Sequence, residues 1–88
     1  MADIFWHDQI IFHKEQCERQ IRVLNFYFDK KSLPSIKNAY KLVMSDIIDN
    51  HETYLKKLAS DKGYIYDNID FNWIKNLRVK IQSLHDQQ

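Results

Sequence analysis

An all-α protein is expected from two observations. The chain's only proline, Pro34, and only glycine, Gly63, leave three long stretches free of either breaker. Within each stretch apolar residues recur at steps of three and four, the period of a helix rather than the alternation of a strand. The expected architecture is a long antiparallel helical hairpin plus a shorter third helix, with helices at about 3–29, 34–61 and 71–85 of one domain, residues 1–88. A homodimer is expected to complete it as a helical bundle.

In the first helix Ile10, Cys17, Ile21, Leu24 and Phe28 form one stripe at helical spacing. Asp3 and Asp8 stand near its start and Lys30 and Lys31 at its end, the signs that each end of a helix dipole prefers. Ser32-Leu33-Pro34-Ser35 then opens the second helix, because serine caps exposed amides and proline fits a first turn that needs no amide donor. The apolar side of this helix reads Ile36, Tyr40, Val43, Met44, Ile47, His51, Tyr54, Leu55 and Leu58. Each glutamate precedes a base by four residues (Glu15 with Arg19, Glu18 with Arg22, Glu52 with Lys56), the helix-supporting orientation.

Gly63 supplies a left-handed helix end, and Tyr64 to Ile69 reads as an ordered loop. Asp70 is the expected N-cap of the third helix, whose Trp73, Ile74, Leu77, Ile81 and Leu84 share a face.

Composition narrows the partners. Thirteen basic residues against 12 acidic ones leave a formal charge of +1, too little for a long-range field that gathers nucleic acid, anionic membrane or acidic substrates. A single cysteine excludes an internal disulfide, and no apolar stretch is long enough for a bilayer span or a secretion signal. No membrane association is expected, and the reducing cytoplasm is the expected location.

Two helices of some 27 residues and a third little more than half as long cannot cover one another, so part of the hairpin seam stays open. The first helix also carries surplus apolar surface. Phe5, Phe12 and Val23 lie about a third of a turn from its main stripe, with Ile4, Ile11 and Phe26 on a further side. A contiguous apolar set along one helix marks a protein interface, so Phe5, Phe12, Val23 and Phe26 are the expected contact residues. The competing reading has the third helix and its preceding loop cover this strip within one chain.

One constellation has the right atoms for chemistry. His13 and Cys17 stand one turn apart, and a hairpin folded about residues 31–33 brings His13 level with His51; His85 returns to a similar height if the third helix runs antiparallel to the second. Imidazoles and a thiolate suit zinc. The short-spaced ligand pairs of a zinc finger and a His-Glu-x-x-His motif are both absent, so burial of Cys17 as a small hydrophobe is the stronger expectation and no cofactor is assigned.

No acid is marked to orient His13, no glycine-rich anion loop is present, and Glu-x-x-His does not occur. The chain is therefore read as non-enzymatic. Lys30, Lys31, Lys37 and Lys41 around the hairpin tip, with Lys75, Arg78 and Lys80 on the third helix, make nucleic acid the lesser alternative, since no helix-turn-helix accompanies them. The reading that remains is a small adaptor, regulator or inhibitor that pairs with itself and binds another protein through exposed apolar helix faces.

Overall fold

The computed structural model describes residues 2–30 and 34–83. They form three helices, α1 (Ala2–Lys30), α2 (Pro34–Lys62) and α3 (Asn68–Ser83). The expected all-helical hairpin is present: α1 packs along α2, and α3 packs on both. At a rise of ~1.5 Å per residue, α1 and α2 nearly match the 48 Å long axis of the molecule.

The core runs along the meeting line of the helices. Trp6, Ile10, Cys17, Ile21 and Phe28 of α1 meet Met44, Ile48, Leu55 and Ala59 of α2, and α3 adds Trp73, Ile74, Leu77 and Ile81. The α1 stripe agrees with its sequence pattern, although Leu24 is only partly buried.

On α2 the seam is rotated from the expected one. Ile36, Val43 and Tyr54 are exposed, while Ile48 and Ala59, which the pattern did not single out, are buried. The apolar arc of α2 is wider than α1 can cover. Because α3 lies on one flank, it draws Ile48 and Ala59 inward and leaves the other edge of the arc in solvent.

The end of α2 is set by Gly63. Its φ of 70° is the only positive value among the described residues. The Gly63 amide donates to the Ser60 carbonyl at 3.4 Å and the Tyr64 amide to Ala59 at 2.9 Å, the paired bonds of a Schellman motif.

α3 begins three residues before its expected start, so the loop is shorter and Asp70 is not the N-cap. Asp67 holds that place: its Oδ1 accepts the Ile69 amide at 2.9 Å. The Asp70 carboxylate instead sits at the third position and reaches back to the Asp67 amide at 3.4 Å, closing a capping box. The same Oδ2 accepts the Trp6 indole N–H at 2.9 Å, so one carboxylate caps α3 and ties it to the start of α1. A four-ring cluster of Trp6, Tyr64, Tyr66 and Phe71 surrounds this bond.

The other tie is Arg78. Its guanidinium reaches Glu52 at 2.7 Å and Asp49 at 2.8 Å, clamping the middle of α3 to α2. Of the three glutamate–base pairs, Glu52–Lys56 closes, at 3.4 Å.

Leu55 and Val43 were indistinguishable by pattern but differ in burial, so they should differ in energy. Leu55→Ala is expected to lose about 2–5 kcal/mol, whereas Val43→Ala should stay within about 0.5 kcal/mol of the parent. Urea unfolding followed by circular dichroism measures both. Equal losses would contradict the rotated seam.

Candidate interaction face and histidine pair

Two rows of side chains flank the hairpin on the side away from α3. On α1 the row is Phe5, Gln9, Phe12, Gln16, Gln20, Val23 and Tyr27; on α2 it is Ile36, Tyr40, Val43, Ile47, His51, Tyr54 and Leu58. Both advance by steps of 4, 3, 4, 4, 3 and 4 residues, so each stays on one side of its helix. None of these side chains is buried, and neither row contains Asp, Glu, Lys or Arg.

Contacts place the two rows side by side. His51 Nε2 lies 3.3 Å from Gln20 Oε1, and the rings of His13 and Tyr54 have centroids 4.8 Å apart. The position of α3 follows from Arg78. Of its partners, Asp49 stands two residues from both Ile47 and His51, roughly 200° around the helix, and Glu52 stands roughly 200° from Tyr54 and roughly 100° from His51. α3 is thus on the opposite flank.

Among the expected interface residues, Phe5 is 45%, Phe12 54%, Val23 51% and Phe26 58% exposed. α3 and its loop therefore leave this surface largely open, although Phe5 has one loop contact, with Tyr64 at 6.0 Å between centroids. Sequence reasoning missed the contribution of α2. Ile36, Val43 and Tyr54 had been given to the core, and only their shared spacing with the α1 row could have separated them.

His13 and His51 meet as the hairpin register requires. Their Nδ1 atoms are 2.8 Å apart, so one ring donates its proton to the other. Phe12 packs edge-on against His13 with ring centroids 5.3 Å apart. Partial burial lowers both histidine pKa values below 6.5, and for His13 the neighbouring His51 adds to the effect. The neutral pair is the favoured form near pH 7.

Cys17 does not join them in a metal set. The thiol is fully enclosed in the core, and burial pushes its pKa up to about 11, with Glu18 adding to the rise and Arg78 opposing it. No group of three or more His, Cys, Asp or Glu side chains is arranged to hold a metal ion among the described residues. His85 lies outside them.

Of the basic residues named from the sequence, Lys41 and Arg78 border one groove between α2 and α3. Lys31 and the Lys30 side chain lie outside the described part, Lys37 stands over the Phe28 ring at 5.0 Å, and Lys75 and Lys80 are on exposed parts of α3. Arg78 is committed to its carboxylates: burial would lower its pKa, but Asp49 and Glu52 raise it. No helix among the described residues is long and apolar enough to cross a membrane.

Compared with protein-family models, curated proteins and solved structures, the chain matches none. The site must be read from its own chemistry.

The depressed histidine values fix the sign of a pH effect. Below pH 6.5 the unfolded chain takes up protons before the folded one, so stability is full above that value and falls as pH drops through the folded pKa values. Urea midpoints should decline between pH 7 and 5, and His51→Gln should flatten the decline. Native Cys17 should react with iodoacetamide at pH 8 at least a hundredfold more slowly than in urea, as its burial and raised pKa require; mass spectrometry reads the label.

Proposed function

We propose that this chain is a non-enzymatic helical interaction module, an adaptor, regulator or inhibitor, that docks onto another protein through the open side of its α1–α2 hairpin. The observation that carries this reading is the pair of uncharged rows. In a chain with 28% charged residues, two adjacent helix faces without a single Asp, Glu, Lys or Arg are a marked depletion. Aromatic enrichment and charge depletion characterise the centre of protein interfaces.

The exposed apolar members are Phe5, Phe12, Val23, Tyr27, Ile36, Val43 and Tyr54, each 37% to 54% exposed. Taking ~150–250 Å² for a large side chain, they present roughly 600 Å², the upper end of the apolar patches of ordinary monomers. Glutamine, tyrosine hydroxyl and histidine groups between them supply hydrogen bonds and direction. Recognition of this kind uses helix packing with aromatic anchors at the centre.

Affinity capture from the source cells, followed by mass determination of the intact complex, tests the proposal. A partner retained by the parent should be lost with Phe12→Glu or Val43→Lys and kept with Val79→Lys on the exposed side of α3. Retention by all three variants would place the docking surface elsewhere.

A further inference from the structure

We infer that the open hairpin face is built for a second copy of this chain, seated end-to-end so that α1 lies antiparallel on α1 and α2 antiparallel on α2. This rests on the reading of the face as a docking surface and gives it a different occupant, a second copy in place of another protein.

The α1 row is symmetric about Gln16, with members at four, seven and eleven residues on either side; the α2 row has the same offsets about Ile47. A twofold axis across the hairpin through these residues therefore lays each row on its own reverse. It sets Phe5 against Tyr27, and Tyr40 against Tyr54. One axis serves both rows to within the offset of their centres along the hairpin. At ~1.5 Å per residue that offset is about 1.5 Å from the His13–His51 contact, about 6 Å from His13–Tyr54 and about 12 Å from Gln20–His51.

Charge separates this arrangement from the other twofold pairing of two hairpins, with both tips at one end. Toward the tip the described side chains carry Lys37 and Lys41, a formal +2. Toward the opposite end those of residues 4–13 and 51–70 carry five acids and three lysines, a formal −2. Tip-to-tip pairing brings +2 beside +2, whereas end-to-end pairing brings +2 beside −2, and at moderate salt such charges act over ~10 Å.

The roughly 600 Å² of exposed apolar surface, with the polar members of the rows, approaches the ~800 Å² per partner of a standard stable interface. Two hairpins then form a four-helix core with one α3 on each outer flank.

The full chain tests this directly. Sedimentation equilibrium at tens of micromolar should give the mass of two chains. Phe12→Glu and Val43→Lys should each weaken association at least tenfold while circular dichroism shows unchanged helicity, and Val79→Lys should not. Orientation follows from Lys62→Cys carrying a nitroxide, with Cys17 enclosed and unlabelled. Lys62 is fifteen residues from Ile47, so end-to-end pairing predicts a spin–spin distance of about 45 Å and tip-to-tip pairing one below about 30 Å.

A dimer sensitive to the face variants with the long distance is the expected result. The short distance overturns the inference, as does a dimer indifferent to Phe12→Glu and Val43→Lys. A monomer at 100 micromolar also overturns it while leaving docking onto a different protein to be decided by the capture experiment, so the two readings fail separately.

Discussion

A guanidinium held between two carboxylates decides which side of the hairpin is covered. Arg78 binds Asp49 and Glu52 on one flank of α2, and Asp70 fastens the start of α3 to Trp6 of α1. With α3 fixed at both points, the apolar arc of α2 divides: Ile48 and Ala59 are enclosed, and Ile36, Val43 and Tyr54 are left outside. The open face is the complement of where α3 sits. The salt links are partly exposed, so their worth lies in orientation more than in energy.

The histidines show how the open face differs from the seam beside it. A buried ion pair there would have required compensation for lost hydration, whereas two imidazoles can share one proton and remain neutral. His13 and His51 thus provide a polar contact across the hairpin without placing charge in the rows, and Gln20 Oε1 accepts from the remaining nitrogen of His51. The cost is sensitivity to acid, because one added proton makes the partly buried pair a cation and two would set two cations within hydrogen-bond distance.

Much of this was legible in the residues. Breaker placement and helical periodicity gave three helices, their order and the α1 stripe, and the hairpin register gave the His13–His51 contact. The rotation of α2 was not legible, since its apolar arc exceeds half the helix and periodicity cannot say which part a third element will cover. The start of α3 was misplaced for a related reason: Asp67 and Asp70 are both competent caps, and the choice depends on Trp6, sixty-four residues from Asp70. Arg78 looked like a phosphate contact from sequence because its two carboxylate partners are remote along the chain.

One further property follows from the order in which the helices meet. α1 joins α2 across residues 31–33, and α2 joins α3 across residues 63–67, so most packing is between consecutive segments. Topologies of such low contact order fold in about microseconds to milliseconds. Speed matters for a chain with aromatic surface to hide. The interval in which α2 displays its whole apolar arc is short, and encounters that would lead to aggregation have little time to occur.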